Sequence, residues 1–336
     1  MDTIRVAVVG VGSFGRNHAR VYHDLQNAPA GDGPRVELAA VVDASLERAE
    51  AIAREFNCRA YTSLEKLLAG ERELTAASVC VPTVAHLEVA RTMLNMGVDV
   101  LIEKPVAATV AEADELIALA AKQKRIAQVG HLERFNPAVI ATYPVITKPM
   151  FFEVHRLSVF TPRSLDVDVV LDLMIHDLDV VLSLVKSPVK EIRAVGLPVL
   201  TNKVDIANVR VEFESGCIAN FTASRVSTER VRKVRFFQPR QYVSIDYARQ
   251  DVFVLTVNDP RAQSPAGFAI PGVAPSKPAV KQEEPLRAEL RSFLHAVATR
   301  EKPAVTLEEG RGALALALDI LKSIDSHNER AGLNTL

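Results

Sequence analysis

The feature that most constrains the fold of this chain is an apolar run, Ile4–Val9, that passes directly into Gly10-Val-Gly12-Ser-Phe-Gly15. This spacing is typical of a buried strand followed by a tight turn and a helix. The first glycine permits the turn, the second lets the backbone approach a pyrophosphate, and the third lets the helix pack closely on the sheet. Because the amides at the start of that helix face an anion, the pattern predicts a dinucleotide site.

A second apolar run, Val98–Ile102, ends in the charged triplet Glu103-Lys104-Pro105. Ligands bind at the carboxyl ends of the strands in a doubly wound sheet, so we expect the Lys104 amine to lie at the same edge as the glycine turn. A cation there stabilises the alkoxide that develops when a hydride leaves a secondary alcohol. The triplet and the glycine turn together favour a nicotinamide-dependent oxidoreductase.

The hydrophobic pattern divides the chain into two parts. As far as about residue 130, short β-branched runs alternate with amphipathic helical segments, which is typical of a parallel sheet with helices on both faces. After Met150 the predicted strands are longer and follow one another, which indicates an antiparallel sheet. We therefore expect an α/β protein in which residues 1–130 form a Rossmann NAD-binding domain. Residues 131–336 are predicted to form an α+β domain for substrate binding and oligomerisation, with a large, mostly antiparallel open sheet.

Composition argues against several classes of function. The chain has 40 basic and 41 acidic side chains, so it carries no charge excess for binding nucleic acid or an anionic membrane. Its most apolar stretch, residues 167–185, is interrupted by aspartates and a histidine and does not read as a membrane span. Three cysteines without C-x-x-C spacing, and an N-terminus without signal-peptide features, favour a cytoplasmic protein.

Further cofactor contacts are expected where other strands end. Asp43 ends the second strand, where a carboxylate accepts hydrogen bonds from the adenine ribose and repels a 2′-phosphate, so NAD is favoured over NADP. The alternative is that Asp43 only caps the next helix. Thr83 and His86 are placed to touch the ribose or the nicotinamide, although Thr83 is equally well placed as a helix cap. The predicted cofactor contacts are Gly10, Gly12, Ser13, Phe14, Gly15, Asp43, Pro82, Thr83, His86, Glu103 and Lys104.

With these motifs, and with Asp172-x-x-x-His176, the chain resembles the glucose–fructose oxidoreductase/inositol dehydrogenase (Gfo/Idh/MocA) family over nearly its whole length. The resemblance implies that Glu103 and Lys104 lie near the nicotinamide, that Lys104 reaches the substrate, and that a cis peptide bond precedes Pro105. It implies His176 as the catalytic base, with Asp172 and Lys104 as positioning and polarising partners. At this spacing the two residues share one face of a helix, and a neutral imidazole accepts a proton near physiological pH.

Alternatives to this assignment stay open. Many relatives carry a glycine two residues after the aspartate, where this chain has Met174, so either Lys104 or His176 is a candidate for taking the proton. An Asp–His pair also occurs in helix–sheet interfaces without catalysis. Residue types that zinc prefers are present at Glu153, His155, Asp172 and His176. The family uses no metal for this step, so we predict none.

The segment Gly130–Pro137 resembles the sub-group of the family that oxidises UDP-linked amino sugars, the UDP-N-acetylglucosamine 3-dehydrogenases and similar UDP-sugar enzymes. This implies oxidation of C3 of the sugar to a 3-keto sugar. Arg134 and Asn136 offer directional donors to sugar hydroxyls, and a diphosphate requires further cations. The predicted substrate contacts are Lys104, Arg134, Asn136, Arg156, Arg163, Asp172 and His176, with Arg225 as a further cation.

Two other functions remain as alternatives. One is an inositol or free-sugar dehydrogenase of the same family, and the other is a regulatory homologue that binds the cofactor without turnover. The presence of Lys104, Asp172 and His176 favours an NAD(P)-dependent dehydrogenase acting on CH–OH groups. The apolar second sheet and the proline-rich segment 259–285, predicted as a long loop, favour a homodimer or homotetramer.

Overall fold

The computed structural model describes residues 3–29, 33–161, 167–258 and 272–333. The chain divides into two compact units, Met1–Leu132 with Glu284–Leu314, and Glu133–Glu283 with Ala315–Leu336. Within the described residues, each unit is built on its own sheet, of six strands in the first and eight in the second.

The sheet of the first unit is parallel. Its strands are β1 (Ile4–Val9), β2 (Val36–Val42), β3 (Arg59–Tyr61), β4 (Ala76–Val79), β5 (Asp99–Glu103) and β6 (Ala127–Gly130). The helices that connect them are α1 (Ser13–Gln26), α2 (Leu46–Phe56), α3 (Leu64–Gly70), α4 (His86–Asn95) and α5 (Val110–Gln123). The strand order is β3-β2-β1-β4-β5-β6. This order reverses between β1 and β4, and the crevice at such a point is where ligands bind.

The ends of the helices in this unit follow from local chemistry. Ser45, Ser63 and Thr109 each precede a helix, and their side-chain oxygens accept a hydrogen bond from an amide of its first turn. Helices α2 and α5 end at Asn57 and Lys124, which both adopt the left-handed conformation. These signals are short-range, so each helix end is set by residues next to it in the sequence.

The sheet of the second unit is mostly antiparallel. Its strands are β7 (Phe151–Leu157), β8 (Val189–Leu197), β9 (Ile206–Phe213), β10 (Ile218–Ser224), β11 (Val231–Gln238), β12 (Gln241–Asp246), β13 (Asp251–Val257) and β14 (Val273–Ser276). They lie in the order β14-β13-β12-β11-β7-β10-β9-β8, and the pair β7–β10 is parallel. Burial alternates along the strands, so one face packs on the core. A Rossmann sheet followed by a mostly antiparallel sheet confirms the predicted fold class.

Strands β13 and β14 were not predicted from the sequence. Residues 259–285 are predicted as a long loop, but Val273–Ser276 forms β14 and pairs with β13. A strand is possible there despite Pro275 because β14 lies at the edge of the sheet. Proline lacks a backbone N–H, and at an edge there is no second neighbouring strand to which that N–H would donate. The part of the predicted loop from 259 to 271 lies outside the described residues.

The helices of the second half of the chain differ in which unit they join. The second unit contains α6 (Pro137–Ile140) and a π-helical turn (Val170–Met174) that continues into α7 (Ile175–Val185); the chain then closes with α8 (Pro285–Thr299) and α9 (Leu307–Ala331). The sequence-based division assigns α8 to the second domain. In the structure α8 belongs to the first unit, because Leu290, Phe293 and Leu294 are buried in the same apolar cluster as residues of β1 and α1. Among the described residues, every helix is too short or too polar to span a lipid bilayer.

Candidate active site

The glycine turn between β1 and α1 has the geometry that a bound pyrophosphate requires. Gly10 has a φ of +85°, and a Cβ on Gly15 would lie 1.8 Å from the carbonyl oxygen of Gly10, so neither position accepts a side chain. A Cβ on Gly12 would meet nothing within 4 Å. Gly12 is also the N-cap of α1 and gives it no side-chain cap. The turn therefore leaves open space above the helix amides, where an anion binds.

Asp43, at the end of β2, is tied to this turn. Its carboxylate accepts hydrogen bonds from the amides of Val11 and Ser45, both at 3.0 Å, and from the Arg48 guanidinium at 3.2 Å. The N-cap of α2 is Ser45, whose hydroxyl accepts from the amide of Arg48. The alternative that Asp43 only caps the helix is therefore wrong, because Ser45 fills that role while Asp43 reaches back to the glycine turn.

Glu103 is held in a buried polar network beneath Lys104. Its carboxylate lies 3.0 Å from Nε2 of His18, and Nδ1 of His18 lies 3.1 Å from the Ser78 hydroxyl, which in turn lies 2.9 Å from the hydroxyl of Tyr22. The other Glu103 oxygen accepts from the backbone amide of Lys104 at 3.3 Å. Burial raises the pKa of the Tyr22 phenol, so it stays protonated and is available as a donor. The network fixes the end of β5 from which Lys104 extends.

His86 has a different role from the predicted cofactor contact. It is 1% exposed, and its two ring nitrogens face the carbonyl oxygens of Val81 and Pro105, each at 2.9 Å. Burial lowers the pKa of this histidine, which favours the neutral ring. His86 therefore holds the Lys104–Pro105 turn against the end of β4. This is a positioning role, in place of the predicted direct contact with the cofactor. The Lys104–Pro105 peptide bond is cis, as the resemblance implied.

The other predicted residues near the end of β4 remain accessible. Pro82 is exposed and Thr83 is half-buried, at the start of the 3-10 turn Thr83–Ala85. Helix α4 has no side-chain N-cap among the described residues, so the alternative that Thr83 caps it is not supported. Phe14 is 40% exposed beside the glycine turn, and its ring packs on His18 with a centroid distance of 5.3 Å.

Asp172 and His176 lie on one helical segment of the second unit. Asp172 is in the π-helical turn and His176 is in the first turn of α7, and both side chains are half-buried. Such π-helical turns inside helices are frequent at functional sites. Met174, which replaces the glycine of many relatives, is 1% exposed, so its side chain packs into the core. Glu153, His155, Asp172 and His176 do not form a cluster at metal-ligand spacing in the described chain. There, the one set of His and acidic side chains at ligand spacing is His18, Glu103 and Glu289.

Arg156 was predicted to bind the substrate, but in the structure it bonds buried carboxylates instead. Its guanidinium is buried and bonds Asp177 through two nitrogens, at 2.6 and 3.0 Å, and Glu133 at 3.1 Å. It also lies over the ring of Tyr247, 5.3 Å from the centroid. Asn136 is buried as well, and its amide nitrogen donates to Glu133 and to the Tyr247 carbonyl oxygen, both at 3.1 Å. These contacts make Arg156 and Asn136 structural residues of the second unit.

The remaining predicted polar residues of the second unit have mixed outcomes. Arg134 lies 3.4 Å from Asp179 and is largely buried, and Arg225 lies 3.7 Å from Asp205 and donates to the Val167 carbonyl. Arg225 is therefore unsuitable as an exposed diphosphate ligand. Arg163 lies outside the described residues. Asp177 and Asp179 are buried, and each pairs with an arginine.

Sequence reasoning missed the residues that support the site. His18 follows Gly15 by three positions on the buried face of α1. The signal that could have identified it is a histidine placed on the apolar face of a helix. Glu133 was not predicted, although it directly precedes Arg134. Its partner Arg156 is 23 residues away in sequence, so only the fold reveals the pair.

Comparison with known proteins agrees with this architecture. Residues 4–131 match the NAD-binding Rossmann-fold model of the GFO/IDH/MocA oxidoreductase family, and residues 150–240 match the C-terminal domain model of that family. The chain is 36% identical to the UDP-N-acetylglucosamine 3-dehydrogenase of Acidithiobacillus ferrooxidans over 331 residues, covering 98% of this chain and 100% of the relative. The chain belongs to the Gfo/Idh/MocA oxidoreductase family. The predictions of a dehydrogenase and of NAD as its cofactor are thereby confirmed.

Solved structures and a more distant relative extend the comparison. The structure of the Acidithiobacillus ferrooxidans enzyme, GnnA, matches with a TM-score of 0.87 at 35% identity and covers 97% of this chain and 99% of its own. A levoglucosan dehydrogenase in complex with NADH matches with a TM-score of 0.85 at 16% identity, which shows the shared fold. The inositol 2-dehydrogenase 1 of Saccharopolyspora erythraea is 30% identical over 199 residues, 56% of each chain.

Proposed function

We propose that this protein oxidises C3 of UDP-N-acetylglucosamine, or of a similar UDP-sugar, to the 3-keto sugar with NAD. The observation that carries the proposal is the end-to-end similarity to a UDP-N-acetylglucosamine 3-dehydrogenase. The presence of Lys104, Asp172 and His176 supports it, because each side chain is only partly buried in its own unit.

The residues present fit the cofactor. The open space at Gly12 and the uncapped N-terminus of α1 suit a pyrophosphate, and the carboxylate of Asp43 stands at the end of the neighbouring strand for the adenine ribose. Since Asp43 carries negative charge beside the turn, it disfavours the 2′-phosphate of NADP. When bound, NAD supplies the hydride acceptor for the oxidation.

The protein contributes proton transfer and charge stabilisation. His176 takes the proton of the sugar hydroxyl as the carbinol is oxidised, and Asp172 orients the imidazole or the sugar. The Lys104 ammonium stabilises the negative charge that develops on the substrate oxygen. His86 and Glu103 hold the backbone on either side of Lys104, so the ammonium starts from a fixed position.

An inositol dehydrogenase is the second candidate, and the similarity to inositol 2-dehydrogenase 1 favours it. That similarity covers 56% of the chain, against 98% for the UDP-sugar enzyme. A regulatory homologue without turnover is the third, but such a protein has no need of Lys104, Asp172 and His176 together.

The proposed function is tested by mixing the purified protein with NAD or NADP and a panel of UDP-N-acetylglucosamine, UDP-glucose, N-acetylglucosamine and myo-inositol. We expect kcat/KM for UDP-N-acetylglucosamine with NAD to exceed every other combination by about tenfold or more, equivalent to about 1.4 kcal/mol. The absorbance of the reduced cofactor reports turnover. A preference for myo-inositol would support the second candidate, and tight NAD binding without any turnover would support the third.

The assembly and the location of the enzyme belong to the same proposal. The exposed face of the second sheet carries a row of packed aromatic rings, Phe151, Phe237 and Tyr242, with centroid distances of 5.7 and 5.2 Å. Such a face suits a homodimer or homotetramer. Cys58, Cys80 and Cys217 are free thiols, in keeping with a cytoplasmic location.

A further inference from the structure

Two of the cations that the sequence suggested for a substrate diphosphate, Arg156 and Arg225, are committed elsewhere, and the third, Arg163, lies outside the described residues. Arg156 bonds Glu133 and Asp177, and Arg225 lies against Asp205 and the Val167 carbonyl. A guanidinium whose donors are already used by buried carboxylates does not exchange them for a ligand at low cost. Among the described residues, a diphosphate in this unit therefore needs a cation other than these two.

Arg232 occupies the position next to Arg156. It lies on β11 directly opposite Arg156 on β7 in the antiparallel ladder. Opposed residues in such a ladder point to the same face of the sheet, with Cβ atoms about 4.5–5.5 Å apart. That face is the one that Asp177 of α7 reaches, and Asp177 follows His176 in the sequence. Arg156 is buried, whereas Arg232 is exposed.

The charges around Arg232 leave positive charge unbalanced. The groups that act on it are two guanidiniums, Arg156 and Arg230, and two carboxylates, Glu133 and Asp177. Both carboxylates already accept hydrogen bonds from Arg156. No carboxylate of the described residues lies within ion-pair distance of Arg232. Although the side chain is exposed as a whole, partial desolvation of its guanidinium and the charge of Arg156 lower the pKa of Arg232. An anion placed there would remove this repulsion.

We propose that Arg232, assisted by Arg230, binds the diphosphate of the nucleotide-sugar substrate. This inference rests on the proposed function, and it adds the residue that recognises the nucleotide part. The planar guanidinium suits a diphosphate because two parallel N–H groups bond two phosphate oxygens. Arg232 is the direct cross-strand neighbour of Arg156. Arg156 in turn bonds Asp177 and so anchors α7, the helix that carries His176.

The test measures the affinity of UDP, uridine and inorganic pyrophosphate for the protein saturated with NAD, by calorimetric titration. We expect Arg232→Gln to raise the Kd of UDP and of pyrophosphate by about tenfold or more and to leave the weak affinity of uridine unchanged. Arg232→Lys, which keeps the charge without the paired donors, is expected to lose less. Arg235→Gln is the matched control, since Arg235 is on the same strand, on the opposite face, and pairs with Glu153 at 3.3 Å.

The outcomes separate this inference from the proposed function. Equal UDP affinity in the wild type and in both Arg232 variants would overturn the inference, as would a wild type that binds neither UDP nor pyrophosphate. A wild type that binds UDP through Arg232 but does not oxidise UDP-N-acetylglucosamine would support the inference and contradict the proposed function. With UDP-sugars as substrates, we expect the Arg232 variants to raise KM far more than they lower kcat.

Discussion

Replacing Lys104 by methionine is expected to lower the turnover of UDP-N-acetylglucosamine by about 10³-fold while leaving NAD affinity nearly unchanged. Methionine keeps the length and the apolar stem of lysine, so the cis turn and its contacts to His86 and Glu103 are retained. What is lost is the positive charge that, in the proposed mechanism, stabilises the developing alkoxide. Initial rates at saturating NAD, with cofactor binding followed separately by titration, measure the two quantities.

Two further variants make this prediction specific. Lys104→Arg keeps a positive charge, so it should retain more activity than Lys104→Met. Lys122→Met removes an exposed lysine from α5 and should leave turnover unchanged. If Lys104→Met turns over within about tenfold of the wild type, the ammonium has no large electrostatic role.

Replacing Arg156 by methionine is expected to destabilise the second unit by about 3–5 kcal/mol, because it leaves two buried carboxylates without their counter-charge. Glu133 and Asp177 are both nearly inaccessible to water, and both accept hydrogen bonds from this one guanidinium. Urea unfolding followed by circular dichroism measures the effect, since the chain has no tryptophan to report by fluorescence. Arg235→Met breaks an exposed ion pair and should cost about 1 kcal/mol or less.

The deficit of the Arg156 variant should depend on pH. In the wild type, burial raises the pKa of Asp177 while the charge and hydrogen bonds of Arg156 lower it. Without Arg156 the pKa in the folded state rises further above that in the unfolded state, so the folded form binds the proton more tightly. Stability is then retained at low pH and lost as the pH rises through the folded-state pKa. We expect a larger deficit at pH 8 than at pH 5, and a deficit that is small and constant would contradict the counter-charge role.

The parts of the fold that the sequence predicted well are those set by local backbone requirements. Strand β1 was bounded correctly because its apolar run, Ile4–Val9, ends at the glycine turn. Gly10 and Gly15 were assigned correctly because any side chain there collides with the backbone, a constraint independent of the rest of the chain. Helix α8 was assigned to the wrong part because its partners in the first sheet are far away in sequence.

The polar residues of the site were less predictable for a physical reason. Whether an arginine is a ligand-binding group or a buried counter-ion depends on which carboxylates the fold brings to it. Arg156 and Arg232 lie opposite each other on neighbouring strands, yet one is buried between Glu133 and Asp177 and the other is exposed. In the same way, His86 was predicted to contact the cofactor because it follows the end of a strand. In the structure both of its ring nitrogens face backbone carbonyl oxygens.

The transfer of a label from C3 of the sugar tests the account most directly. UDP-N-acetylglucosamine deuterated at C3 is incubated with the protein and NAD, and the reduced cofactor is isolated and analysed by mass spectrometry. The account predicts that the deuterium is found in the reduced cofactor and that the same sugar labelled at C4 keeps its deuterium. Reduced cofactor without the C3 label, or no reduction with this sugar while another polyol is oxidised, would contradict it.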